Sequence, residues 1–184
     1  MAQTSWLQPI RTKTLLLLPS SVELLKAELE SPQQLASRLN AMVNPGWPPG
    51  EYDRPAQEFF LAQMIEGGET VEGWYCWYAL ERIALPRPLL IGAGGYFGLP
   101  DPEGDVEIGF SVVSERRCLG YGSEIAEALA KRAFLDPRVR RVVAHHAPDN
   151  TPSKRALEKS GFRFTGLLTG QGNLEYVYAP SNPS

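Results

Sequence analysis

The densest chemical signal in the chain is the run Arg116-Arg117-Cys118-Leu119-Gly120-Tyr121-Gly122-Ser123-Glu124. Two glycines two apart let the backbone approach a ligand and turn its N–H groups outward. An amphipathic helical pattern follows, so the positive end of a helix dipole points at the same spot. Two arginines stand just before it. Such a turn suits a pyrophosphate. It is not the dinucleotide pattern G-x-G-x-x-G, because position 125 is Ile, and the chain has no Gly-Lys pair for a P-loop. Taken alone, the turn fits equally a glycine-bearing tight turn with solvated arginines, or a nucleotide-binding protein of another fold.

A second constellation separates these. Asn150-Thr151-Pro152-Ser153 opens a short helical pattern that runs to Gly161-Phe162, directly after a buried apolar strand. The pair of motifs, Arg117-x-x-Gly120-x-Gly122 after Glu107-Ile108-Gly109-Phe110-Ser111-Val112, and Asn150-x-x-Ser153 running to Gly161-Phe162, resembles the GNAT superfamily of acyl-CoA-dependent N-acyltransferases. The nearer likeness is to its RimJ/RimL-like branch of ribosomal-protein N-acetyltransferases. The resemblance spans roughly Thr14 to Ala179. It implies acetyl-CoA as co-substrate and an amine as acceptor, either a protein N-terminus or a small molecule. It implies that Arg117, Cys118, Leu119, Gly120, Tyr121, Gly122 and Ser123 hold the CoA pyrophosphate, largely through backbone N–H groups. It further implies that pantetheine lies in a gap between two strands, bonding backbone near Val112, with Asn150 touching the same arm.

The family reaction is direct attack of an amine on a thioester. It needs a base for the amine, support for the oxyanion and a proton for the departing thiolate. Glu107 is the first candidate base: it alternates against Val106 and Ile108 and lies just upstream of the implied slot. A free glutamate titrates near about 4.3, so it needs a raised pKa or a water relay. Glu175 on the last strand is the rival. Many relatives carry a tyrosine acid four residues after the Ser153 position; here that residue is Leu157. The resemblance leaves Ser153 as the substitute acid, and its other role is a first-turn serine satisfying backbone N–H groups. The absent tyrosine also motivates a rival reading, a non-catalytic acyl-CoA-binding sensor or interaction module.

Other reactive types suit blander roles. Cys118 supplies backbone to the turn, with no His near it in sequence. His145 and His146 are adjacent on a strand and face opposite ways, so they cannot chelate one metal together, and no metal site is expected. One of them could line the cleft as a base. Trp74, Tyr75, Trp77 and Tyr78 suit core packing better than nucleobase stacking. Trp47, among prolines, and Tyr96-Phe97 are the expected wall of the acceptor side.

These residues need elements to hold them. Apolar runs and alternation predict strands at 14–18, 74–80, 89–97, 105–113, 139–147, 163–168 and 174–179. Helices are expected from Ser20 or Ser21 to Leu29, from Ser31-Pro32 to about Met42, from Pro55 to Glu66, from Gly122 to Asp136-Pro137 and from Pro152 to Ser160. On the helix from Gly122, Glu124, Glu127 and Lys131 are expected to face out. Pro86-Arg87-Pro88 and 99–104 read as turns. The order is βαα(α)βββαβαββ, an α/β protein; the resemblance makes it a mixed, mostly antiparallel sheet splayed in the middle, with helices on both faces.

At 184 residues the chain is expected to form one domain, 1–184, with a core at about 14–179 and a frayed tail at 180–184. A net charge of -3 gives no global field for nucleic acid, although Arg116 and Arg117 concentrate positive charge locally. Seventeen Gly and sixteen Pro predict many turns. Two cysteines 42 positions apart make no disulfide framework. No signal-peptide layout and no membrane-length apolar run occur, so a cytoplasmic protein, monomer or homodimer, is expected.

Overall fold

A computed structural model describes residues 6–82 and 86–179; the expected frayed tail at 180–184 lies outside the described residues. The leucine run becomes β2 (Leu15–Pro19), with Leu15 and Leu17 fully buried. It pairs with a two-residue strand, β1 (Ile10–Arg11), too short to leave a period in the sequence. Ser21 caps α1 (Val22–Glu30) by accepting from the Leu24 N–H, and Ser31 caps α2 (Pro32–Arg38) by accepting from the Gln34 N–H. α2 stops short of the expected Met42. Asn40 takes a left-handed φ of 49°, and Met42–Val43 becomes β3, with the Met42 N–H bonded to the Pro88 carbonyl. Asp53 caps α3 (Arg54–Gly67), and Gly68 closes it.

The remaining elements follow in the expected order. They are β4 (Cys76–Glu81), β5 (Leu89–Tyr96), β6 (Asp105–Val112), α4 (Tyr121–Ala133), β7 (Arg141–His146), α5 (Thr151–Lys159), β8 (Phe162–Leu168) and β9 (Leu174–Tyr178). α4 ends at Ala133, before Asp136-Pro137, so that proline follows the helix and does not stop it. Gly161, with φ 96°, follows α5, and its N–H donates to the Glu158 carbonyl.

Among the described residues, nine strands form one mixed sheet in the order β1-β2-β4-β5-β6-β7-β9-β8, with β3 pairing β5. Its neighbours are antiparallel except β6–β7 and β3–β5. One face packs on α4: a Cβ at Gly94 would stand 2.8 Å from Ile125 of that helix. Gly109 of β6 looks the other way, its Cβ position 3.0 Å from the Phe97 ring, which packs on Phe60 of α3. Trp74, Tyr75, Trp77 and Tyr78 are all buried, so the aromatic strand is core.

The sheet parts in its middle. β6 pairs with β7 in parallel only from Asp105↔Arg141 to Ile108↔Ala144. Beyond that, β6 stays paired with β5 as far as Gly92↔Val112 but leaves β7. The Val113 N–H donates to Ile91 of β5, so by alternation the polar groups of Val112 point to the side β7 has vacated.

Candidate active site

A cavity of about 680 Å³ opens at this parting. Val112, Arg117, Cys118, Gly120, Gly122, Ser123, Asn150 and Ser153, all singled out from sequence, lie on its wall. Leu119 and Tyr121, from the same turn, do not. Leu119 is exposed, and Tyr121 turns into the core, where its hydroxyl donates to Glu81 at 2.5 Å. Burial, then the Glu81 carboxylate, pushes the Tyr121 phenol up to about 12.

The turn has the geometry its residues suggest. Gly120 is the N-cap of α4, with φ 90°, and a Cβ there would come 3.3 Å from Lys159 Nζ. A Cβ at Gly122 would come 3.1 Å from the Phe110 ring. Side chains are therefore kept out of the concavity where the α4 N–H groups point, as an anion cradle requires. Arg155 and Lys159, one turn apart on α5, join Arg116 and Arg117 on the wall. Their spacing with Pro152 and Ala156, also on the wall, is one helix face and was legible as such. The arginine pair is less free than the sequence suggests. Arg116 Nε sits 3.5 Å from Glu81 Oε2, an ion pair lacking hydrogen-bond geometry, and Arg117 Nε donates to the Val112 carbonyl at 3.0 Å.

Asn150 is the N-cap of α5: its Oδ1 accepts from the Ser153 N–H at 3.2 Å. Its carbonyl end is thus committed, and a ligand contact falls to its amide NH₂. Because Asn150 does the capping, Ser153 is not needed for it, and Ser153 reaches the cavity wall. Leu157 is buried in the core and lines no part of this cavity.

The two candidate bases meet at one imidazole. His145 Nδ1 lies 2.8 Å from Glu107 Oε1, and its Nε2 lies 3.5 Å from Glu175 Oε2. His145 and Glu175 are direct cross-strand partners, and Glu107 stands opposite Val143. Arg141 continues the chain, 3.3 Å from Glu175 and 3.4 Å from Asp105. A carboxylate only accepts, so a neutral imidazole can donate to one glutamate and a doubly protonated one to both. His146 faces the other way and is buried against Tyr176. Neither Glu107 nor Glu175 lines the large cavity. Glu107 is two residues from Gly109, on the same face of β6.

A second, smaller cavity of about 100 Å³ lies on the α3 face, lined by Tyr52, Ala56, Phe60, Phe97, Gly109 and Ser111 among others. Phe97 was expected there. Tyr96 was expected too and also borders this cavity, with its hydroxyl turned into the core, whereas Trp47 was expected but does not border it. The Trp47 indole donates to buried Glu28 at 2.9 Å, and the Tyr96 hydroxyl donates to the Leu129 carbonyl at 2.7 Å. Glu51, Phe110 and Ser111 border both cavities. Sequence reasoning missed Glu51 and Ser111. Only the register, and the loop that carries Gly50 over Ser111, bring them to the seam.

Similarity to known proteins gives the family and the fold. Residues 24–163 match the acetyltransferase (GNAT) domain. The uncharacterized N-acetyltransferase YjdG of Bacillus subtilis is 29% identical over 153 residues, covering 83% of this chain and 88% of that one. A GNAT-family acetyltransferase from Bacillus anthracis superposes with TM-score 0.60 at 21% identity, over 92% of this chain and 97% of its own. Mycobacterium smegmatis RimJ, in complex with CoA-disulfide, gives TM-score 0.59 at 16% identity, over 92% and 85%. AAC(6')-Ib in complex with ribostamycin and coenzyme A gives 0.58 at 20%, over 90% and 92%. A glycine turn at the mouth of a parted sheet, and a domain match across most of the chain, lead to one family: this chain is a GNAT N-acetyltransferase.

Proposed function

We propose that the chain transfers an acetyl group from acetyl-CoA to a primary amine by direct attack, with both substrates bound together. The carrying observation is that the cavity at the parted strands and the cavity under α3 share one wall, at Ser111 and Glu51. The fit of CoA rests on the glycine cradle, its four surrounding cations and the volume of the large cavity. Arg117, Cys118, Gly120, Gly122 and Ser123 would hold the pyrophosphate, helped by the Leu119 and Tyr121 backbone. Val112 and Asn150 would hold the pantetheine arm. Bound acetyl-CoA supplies the acyl thioester and leaves as the thiol.

The chain's own groups do the rest. The Glu107 carboxylate takes a proton from the incoming ammonium, directly or through one water, and frees the nitrogen lone pair. His145 holds that carboxylate in place and ties it to Glu175. The Ser153 hydroxyl, at the start of α5, offers its proton to the departing sulfur. The new C–N bond replaces the C–S bond, and the nitrogen gives up two protons: one reaches solvent through Glu107, and the other returns to the Ser153 oxygen in place of the proton that left on the thiol.

Calorimetry with acetyl-CoA and thiol release over an amine panel test this. Binding with turnover is expected, and no binding at millimolar acetyl-CoA would sink it. Gly120→Val should abolish acetyl-CoA affinity, because a branched side chain suits neither φ 90° nor the cradle. The sensor reading keeps one support, a leucine at position 157 where relatives carry the acid. Acetyl-CoA binding without thiol release from any amine would favour it.

A further inference from the structure

We infer that the acceptor is a primary amine bearing one small apolar substituent, with that substituent seated in the cavity under α3. The inference rests on the acetyltransferase reading and concerns which amines it serves. Three observations carry it.

The first is size. The small cavity holds about 100 Å³. An engineered apolar cavity of about 150 Å³ takes benzene, so this one suits a branched alkyl group or, with its open mouth, one ring.

The second is the lining. Phe60 and Phe97 pack with ring centroids 6.2 Å apart and planes tilted by 42°. The Phe97 ring lies on Gly109, where a Cβ would come 3.0 Å from Phe97 Cε2, so the floor is bare backbone made to take a ring. Phe97 is 53% exposed. An aromatic ring held at the mouth of a pocket gains apolar burial when a ligand covers it.

The third is the polar inventory. The Tyr52 hydroxyl donates to Glu28 and the Tyr96 hydroxyl to the Leu129 carbonyl, so both are committed. What remains among lining side chains is the Glu51 carboxylate and the Ser111 hydroxyl, both at the seam with the large cavity. One carboxylate at the seam suits one ammonium, next to where the thioester would lie. Hydroxyls or further ammonium groups of a polyamine or sugar would be stripped of water against phenyl rings without partners. The shared chemistry covers a free alkyl or arylalkyl amine and a peptide N-terminus with an apolar first residue.

The test is thiol-release kinetics at saturating acetyl-CoA with isobutylamine, phenethylamine, a leucine-initiated tripeptide, spermidine and ribostamycin. We expect kcat/KM at least tenfold higher for the best apolar amine than for spermidine or ribostamycin. The ratio of tripeptide to free amines tells which source is used. Phe97→Asp should cut that advantage tenfold or more with acetyl-CoA affinity unchanged by calorimetry, and Phe97→Leu should keep it. A wild type whose best apolar amine has less than a tenfold advantage over spermidine or ribostamycin, or a Phe97→Asp variant that keeps the full advantage, overturns the inference. Saturation-transfer NMR of phenethylamine on the CoA-loaded protein adds a readout independent of turnover. Binding that Phe97→Asp weakens supports the inference even if catalysis fails, and absence of binding overturns it.

Discussion

In the proposed reaction Glu107 and Ser153 divide the proton traffic, and neither side chain belongs to the buried core. Glu107 is 41% exposed at its side chain. Glu107→Gln keeps a partner for His145 but cannot take a proton. We expect kcat to fall on the order of 10²-fold with acetyl-CoA affinity unchanged, read by steady-state kinetics beside calorimetry. Ser153→Ala should lower kcat less. If Glu107→Gln leaves kcat intact and Glu175→Gln removes it, the base is the other end of the imidazole bridge. Glu107 was legible from the alternation of its strand, and Glu175 as its rival only through the family resemblance. Their joining through His145 was not. It depends on which residue of β7 faces which residue of β6 and β9, and register is a long-range property that no local pattern carries.

Elements were more legible than contacts, because helix starts are written locally. Ser21, Ser31 and Asp53 cap as their types suggest, and proline near the first turn follows three of the caps. The two-residue strands β1 and β3 left no period to read. Glu124 shows the same limit. It sits on the first turn of α4 and was expected to face water. Instead it accepts from the Thr14 N–H at 2.7 Å, the Thr14 hydroxyl at 2.8 Å and the Leu15 N–H at 3.2 Å, and also from the Thr12 hydroxyl. Burial alone would raise its carboxyl, but these donors outweigh burial and hold it below the usual glutamate range. A depressed folded pKa favours the folded state above the unfolded pKa, and that benefit is lost as pH falls through the folded value. Glu124→Gln should therefore lower the melting temperature at pH 7. Its deficit should shrink as pH drops below the ordinary glutamate range, in paired thermal melts.

At the scale of the molecule, one buried carboxylate fastens the loop beside the small cavity. Glu28 of α1 accepts from the Trp47 indole at 2.9 Å and from the Tyr52 and Tyr78 hydroxyls, each at 2.8 Å. Those three residues come from the loop before α3 and from β4, so α1, the loop and the sheet share one anchor. Burial raises the Glu28 carboxyl, and the three donors work against that rise. Glu28→Ala strands three donors in the core and should cost about 3 kcal/mol, read as a lowered denaturation midpoint. Glu51 sits between Trp47 and α3 on that loop. The same variant should raise KM for the amine more than for acetyl-CoA, in two-substrate kinetics at a temperature where it stays folded.

The parting of β6 from β7 puts a free edge at the centre of the sheet. Peripheral edges are the usual route by which foreign strands add on and proteins clump. This one is flanked by the first turn of α5 and by Gly50, which stands close over Ser111 and Arg117. Its Val112 carbonyl already has a stopper, the Arg117 Nε–H. An extended visitor would lie along it, sharing that carbonyl with the arginine or displacing it. The fold thus keeps an adhesive strip inside itself.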